Sequence, residues 1–315
     1  MGRLFGTDGV RGIANKELTP ELAFNLGKAG TFVLSKESKR PTIIIGKDTR
    51  VSGDMLENAL TAGILAVGGN VIKAGVIPTP AVAFLTRYYK ADAGIVISAS
   101  HNTFEYNGIK FFNSEGFKLD DLIEEKIEDI IISRIDVNSH ITGDLIGKCL
   151  EAEESAAELY AEHLIQTADY RLDGKKVVLD CANGASYQVA RRVYESLGAE
   201  VVTIGDSPNG VNINDGCGST HPENLQERVA AEGAFIGLAF DGKLFQDVFA
   251  GYLVGRCGQR HYRDIGKPFS NYTQLRVFGP EVVAPLADTV GLVYGKKADV
   301  ELAQEEGNLC YQFLW

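Results

Sequence analysis

The chain has 315 residues, of which 45% are hydrophobic and 23% charged, an ordinary composition for a soluble globular protein with sizeable cores. This length suits two domains, or two domains and part of a third. The net charge of −11 excludes the basic surface on which nucleic-acid binding depends, so we expect no nucleic-acid partner.

The first residues, from Met1 to Phe5, contain no apolar run of the signal-peptide type. Elsewhere no apolar run approaches the roughly 20 residues that cross a bilayer. The five cysteines include no C-x-x-C pair, which is typical of reduced thiols. We therefore expect a cytoplasmic protein without a membrane partner.

A glycine-spaced loop at residues 5–12 carries one hydroxyl, of Thr7, and one guanidinium, of Arg11. Glycines such as Gly9 let backbone N–H groups approach an anion closely, and arginine can bind phosphate through two N–H groups. The loop therefore predicts a phosphate contact. The alternative, an ordinary structural turn, stays open because its G-T-D-G core is common in turns.

Apolar runs and helical periodicities alternate in the next part of the chain. They predict strands at 42–46, 71–74 and 93–97 and helices at 54–67 and 79–89. Thr79 is predicted to cap the second helix, with Pro80 as its first residue. Such alternation predicts a mainly parallel sheet with helices on both faces. The basic residues of 46–52 either face a cleft or lie in a solvated turn.

Ser100 follows the third predicted strand, next to His101 and ten residues before Lys110. Ligands of parallel sheets bind beyond the carboxyl ends of the strands, where this loop falls. A serine that exchanges phosphoryl groups needs neighbouring hydrogen bonds and positive charge, which His101 and Lys110 could supply. Asn102 suits a tight loop with left-handed backbone. No G-x-S-x-G pattern surrounds Ser100, so a hydrolase nucleophile is not indicated.

Residues 119–168 are richer in Asp and Glu and predict helices that link two domains. Beyond them the alternation recurs, with strands predicted at 176–180, 201–204 and 234–240 and helices at 185–197 and 222–232. The similarity of the two halves indicates a divergent duplication, and predicts domains at 1–150 and 151–241. Cys217 and His221 lack two further ligands at metal-site spacing, which favours a structural turn. The sequence contains no glycine-rich motif of the kind that binds the phosphates of a nucleotide.

These loops closely resemble those of the α-D-phosphohexomutases, and the segments 180–185 and 212–221 are similar to the bacterial phosphoglucosamine mutases in particular. The resemblance implies two related α/β domains with mixed or parallel sheets. It also implies interconversion of glucosamine 6-phosphate and glucosamine 1-phosphate, through a phosphoserine and a bisphosphate intermediate, for cell-wall precursors. The residues to which it gives catalytic roles are Ser100, His101 and Lys110, supported by Thr7, Gly9, Arg11 and Asn102. A small sugar phosphate is the implied partner.

The resemblance further implies a Mg²⁺ site. In the family, a strand ending in Ala-Phe-Asp-Gly is followed by two more aspartates at alternate positions, which hold Mg²⁺ together with a phosphoserine oxygen. Here Asp241 takes the first position, but Lys243 and Phe245 stand at the other two. The implied ligands are therefore Ser100 and Asp241, and the site is incomplete.

Residues 242–315 lack the preceding alternation and the sugar- and phosphate-binding loops of the family's third and fourth domains. The abrupt change favours a shifted reading frame or a disordered segment. It predicts that the third and fourth domains are absent and that mutase activity is impaired or lost. Two alternatives stay open: a non-catalytic module that binds a sugar phosphate or a protein, and a relative acting on mannose or glucose phosphates.

Overall fold

The computed structural model describes residues 4–6, 8–35, 40–138, 140–152, 154–168 and 171–241, and the backbone of 247–250, 254–257 and 291–294. Two α/β units follow each other along the chain, each built around a sheet whose carboxyl ends carry the loops discussed below. The mixed α/β fold class predicted from the sequence is confirmed.

The first unit contains a six-stranded sheet. Its strands are β1 (Val10–Ile13), β2 (Thr42–Lys47), β3 (Asn70–Val76), β4 (Ala93–Ile97), β5 (Tyr106–Asn113) and β6 (Cys149–Leu150). They lie in the order β1-β5-β4-β2-β3-β6. Strand β5 runs antiparallel to both of its neighbours, β1 and β4, whereas the other pairs are parallel, so the sheet is mixed. The sequence predicts β2, β3 and β4 correctly. It does not predict β1, β5 and β6, since these strands are short or interrupted by glycine and charged residues.

Five helices accompany this sheet: α1 (Pro20–Leu34), α2 (Ser52–Ala66), α3 (Thr79–Tyr88), α4 (Asp121–Ile132) and α5 (Ala156–Thr167). The predicted cap of α3 is wrong. The extended backbone falls on Pro78, with ψ of 157°, so Thr79 is already helical and its hydroxyl has no hydrogen-bond partner among the described residues. None of the helices in the described ranges has the length and apolarity needed to cross a bilayer.

The second unit repeats the strand–helix alternation with β7 (Lys176–Asp180), α6 (Tyr187–Ser196), β8 (Glu200–Ile204), α7 (Glu223–Glu232) and β9 (Ile236–Ala239). Strand β7 lies parallel to both β8 and β9. Three short strands lie farther on: β10 (Asp247–Ala250), β11 (Val254–Cys257) and β12 (Gly291–Tyr294), of which β12 pairs antiparallel with β9. The other residues after 241 lie outside the described residues, and the predicted disorder of this segment stays a prediction.

One apolar core joins the two units. Tyr160 and Leu164 of α5 pack in a single cluster with Leu85 of α3 and Val193 of α6. Helix α5 therefore contributes to the packing of both units, although it lies after residue 150. The domain boundaries at 150 and 241 stay a prediction.

We expect the stability of the fold to decrease as the pH falls below neutral, because of His163 in the interface of α3 and α5. His163 stacks on Phe84, with ring centroids 4.2 Å apart, and both burial and the charge of Arg87 lower the pKa of His163 below 6.5. The unfolded chain thus binds this proton more tightly than the folded chain. Stability should be unaffected by His163 above pH 6.5 and should fall as the pH drops through that value toward the lower folded pKa.

Urea unfolding between pH 8 and pH 5 tests this. His163→Phe keeps an aromatic ring against Phe84 but cannot be protonated, so its stability should decline less with falling pH than that of the natural chain. Equal declines in both proteins would show that His163 does not sense pH.

Candidate active site

Ser100 is presented by a fully buried strand. Strand β4 is buried along its whole length, and just beyond it the Ser98 N–H donates to the Gly108 carbonyl over 2.9 Å, which ties the loop to β5. Ser100 itself is only 3% exposed and has φ of 58°. The left-handed residue of the loop is therefore Ser100, and the prediction that Asn102 takes this role is wrong.

A buried carboxylate meets the Ser100 hydroxyl. Asp241 lies just after β9, at the carboxyl end of the second sheet, and is 1% exposed. The Ser100 Oγ donates a hydrogen bond to Asp241 Oδ2 over 3.0 Å. The carboxyl ends of the two sheets thus converge on one pair of oxygen atoms.

Two side chains hold the backbone of the Ser100 loop. Arg50 Nη2 donates to the carbonyl oxygens of Ser100 and Asn102 at 3.0 and 2.6 Å. From the second unit, Asn214 Nδ2 donates to the same two oxygens at 2.9 and 3.0 Å. Of the two alternatives that the sequence left for the basic residues of 46–52, the solvated turn does not hold for Arg50, which is buried and binds the backbone of the Ser100 loop.

Arg50 is paired with a buried aspartate. Its Nη1 contacts Asp48 Oδ2, and its backbone N–H donates to Asp48 Oδ1 over 3.1 Å. The Asp48 N–H donates to the carbonyl of Ile97 over 3.0 Å, at the end of β4. Asp48 and Arg50 are 2% and 3% exposed, so this ion pair is shielded from water and its attraction is little screened.

Arg11 and Lys110, the two cationic residues predicted to contact phosphate, both lie beside the carboxylate of Asp8. Arg11 Nη2 donates to Asp8 Oδ2 over 2.8 Å, and Lys110 Nζ lies 3.7 Å from Asp8 Oδ1. Two cationic side chains thus share the carboxylate of Asp8. His101 is exposed, and Thr7 lies outside the described residues.

Gly9 allows the N-terminal loop to approach β5 closely. Its φ is 81°, and a β-carbon there would lie 2.4 Å from the carbonyl oxygen of Ile109. Just beyond it, β1 pairs with β5, with Arg11 opposite Gly108. The N-terminal loop is thereby fixed beside the strand that leaves the Ser100 loop.

The turns of the second unit are organised by another buried aspartate. Asp180 accepts hydrogen bonds from the N–H groups of Ala182 and Gly218 at 2.9 and 2.7 Å. Burial raises the pKa of Asp180, and burial likewise raises the pKa of the Cys217 thiol to about 12. A thiol that stays protonated at neutral pH is a poor metal ligand.

The described residues supply only part of a Mg²⁺ site. Ser100 and Asp241 offer adjacent oxygen atoms of the kind Mg²⁺ prefers. Within the described ranges, however, no group of three His, Cys, Asp or Glu side chains could hold a metal. The next two positions of the pattern, Lys243 and Phe245, lie outside these ranges, and neither residue offers Mg²⁺ an oxygen side-chain ligand. The residues present do not fit a complete site.

Sequence comparison connects the chain with one family. Residues 2–136 match the family described as phosphoglucomutase/phosphomannomutase, alpha/beta/alpha domain I. The phosphoglucosamine mutase of Clostridium novyi (strain NT) is 52% identical over 286 residues, which cover 88% of this chain and 63% of that protein. The phosphoglucosamine mutase of Clostridium kluyveri (strain NBRC 12016) is 57% identical over 242 residues, covering 77% of this chain and 54% of that protein.

A solved structure shows the same fold. It is that of a phosphoglucomutase/phosphomannomutase family protein from Burkholderia thailandensis, with a TM-score of 0.65 and 27% sequence identity. The match covers 81% of this chain and 54% of that chain. This chain thus spans between about half and two thirds of the length of these relatives.

Proposed function

Since the chain belongs to the phosphohexomutase family, we propose that Ser100 receives a phosphoryl group from a sugar bisphosphate and returns it to a sugar monophosphate. The observation that carries this proposal is the buried Ser100 hydroxyl, which donates to Asp241 over 3.0 Å where the two sheets converge. The sugar we favour is glucosamine phosphate, because relatives 52% and 57% identical to this chain are named phosphoglucosamine mutase. The cytoplasmic location and the role in cell-wall precursor supply remain part of this proposal.

The placement of the side chains supports the following transfer. The Ser100 oxygen forms a bond to phosphorus while the bond between phosphorus and the sugar oxygen breaks. The hydroxyl proton passes to the Asp241 carboxylate, and the released sugar oxygen takes a proton from water. Positive charge from Lys110 and Arg11 stabilises the phosphoryl oxygens, and exposed His101 donates a hydrogen bond to the incoming sugar phosphate. The reverse transfer uses the same groups.

The full mutase cycle is proposed to be impaired in this chain. Phosphohexomutases generally use Mg²⁺, which would neutralise phosphoryl charge. Lys243 and Phe245 replace two of the carboxylates that the family pattern places after Asp241. This exchange removes two negative charges, adds one positive charge and reverses the local preference for a divalent cation.

The chain of 315 residues is therefore expected to accept a phosphoryl group slowly but to show no detectable interconversion of the two glucosamine phosphates. Intact-mass spectrometry after incubation with glucosamine 1,6-bisphosphate and Mg²⁺ measures the first, and peptide mapping locates the added group. A coupled assay for glucosamine 1-phosphate measures the second.

Each outcome has a distinct meaning. Phosphate on Ser100 without turnover supports the proposal, and phosphate elsewhere overturns it. Saturable binding of a hexose phosphate with no phosphate on the protein would favour a non-catalytic binding module instead. Clear turnover would show that Lys243 and Phe245 do not impair the cycle.

A further inference from the structure

We infer that Asn214 is a positioning residue of the second unit that holds Ser100 in its transfer geometry, together with Arg50. This inference rests on the proposed function of Ser100. The four hydrogen bonds from Arg50 Nη2 and Asn214 Nδ2 end on two carbonyl oxygens, those of Ser100 and Asn102, with donor–acceptor distances between 2.6 and 3.0 Å.

The loop needs such support because its backbone is strained. A left-handed conformation is unfavourable at a residue other than glycine, and Ser100 has φ of 58°. The conformation persists only if its surroundings determine it. Fixing the carbonyl on either side of His101 fixes the peptide planes between them, and so orients the Ser100 side chain toward Asp241.

Asn214 is itself rigidly placed. It is 7% exposed, has φ of 58°, and its backbone N–H donates to the Ala182 carbonyl over 2.9 Å. Asparagine tolerates this left-handed backbone better than most residues. Its amide is therefore presented at a fixed angle to the Ser100 loop.

Neighbouring contacts bind the same segments together. Thr49 Oγ1 donates to the Asn183 carbonyl over 2.5 Å, and the Val51 N–H donates to the Gly210 carbonyl over 2.9 Å. Residues 48–51 thus contact both the Ser100 loop and the second unit. The second unit contributes not only Asp241 but also the backbone geometry of the serine that faces it.

Two variants test Asn214. Asn214→Gly removes the side chain while accepting φ of 58°, and Asn214→Asp keeps the shape but turns an oxygen toward the two carbonyl oxygens. Asn212→Ala is the matched control, because its amide donates within the second unit, to the Ser207 carbonyl. Hydrogen–deuterium exchange of the peptide spanning 97–107, phosphoryl uptake from glucosamine 1,6-bisphosphate, and thermal melting are compared in full-length chains.

Both Asn214 variants should raise exchange in the 97–107 peptide at least tenfold and lower the maximal uptake rate by about 10–100-fold. The bisphosphate concentration for half-maximal rate should change little, and Asn212→Ala should match the natural chain. Rates and exchange equal to those of Asn212→Ala overturn the inference. So does a loss of uptake that only tracks a lowered melting temperature. If the natural chain takes up no phosphate but both variants raise exchange, Asn214 holds the loop and the proposed function fails.

Discussion

Replacing Ser100 by alanine is expected to reduce phosphoryl uptake by about 10⁴-fold or more, to below detection. In the proposed transfer the serine oxygen forms the new bond to phosphorus, and alanine has no oxygen atom at this position. Alanine has the same β-carbon as serine, so the strain at φ of 58° is unchanged. The measurement is intact-mass spectrometry over a time course with glucosamine 1,6-bisphosphate.

The control for this variant is Thr103→Ala, which removes an exposed hydroxyl three residues along the same loop. It should take up phosphate at close to the natural rate. Ser100→Ala also removes a hydrogen-bond donor from buried Asp241, so its melting temperature is measured alongside. Continued uptake by a folded Ser100→Ala protein would place the accepting group elsewhere.

Replacing Asp48 by alanine is expected to lower the free energy of unfolding by about 3–5 kcal/mol. The Arg50 guanidinium would then remain buried without its counterion, and a buried unpaired charge is among the most destabilising defects in a folded protein. The change also removes the acceptor of the Arg50 backbone N–H. Urea unfolding of both proteins at pH 7 measures the difference.

Asp54→Ala is the matched control. Asp54 also forms an ion pair, with Lys47, but the side chain of Asp54 is 82% exposed. Exposed pairs contribute about 0–1 kcal/mol, so this variant should differ little from the natural chain. Similar losses in the two variants would mean that the burial of Asp48 does not determine its contribution.

The strand–helix alternation could be predicted from the sequence because buried parallel strands leave continuous β-branched runs. Strand β4 and strand β7 were predicted at their observed bounds for this reason. Strand β5 could not be predicted, because it contains asparagine, glycine and lysine and owes its pairing to neighbours on both sides. Local pattern carries no information about such tertiary support.

The candidate site, like the fold, could be predicted from the sequence only in part. The serine loop is visible in the sequence because its residues are consecutive. The contacts of Arg50 and Asn214 with Ser100 join residues 50 and 114 positions apart, which no spacing rule connects. The convergence of the two sheets brings Asn214 to Ser100, whereas Arg50 reaches Ser100 within the first unit. In the same unit, the pairing of β1 with β5 brings Lys110 close to Asp8, which lies three residues before Arg11.

The separation of Ser100 and Asp241 has a consequence for synthesis of the chain on the ribosome. The two residues are 141 positions apart, and translation at about 5–20 residues per second leaves roughly 7–28 s between their appearance. Strand β1 likewise cannot pair until β5, which lies almost a hundred residues later in the chain, has been made. The nascent first unit therefore exposes an open sheet edge until β5 has been made, and after that a serine loop without its carboxylate until Asp241 has been made.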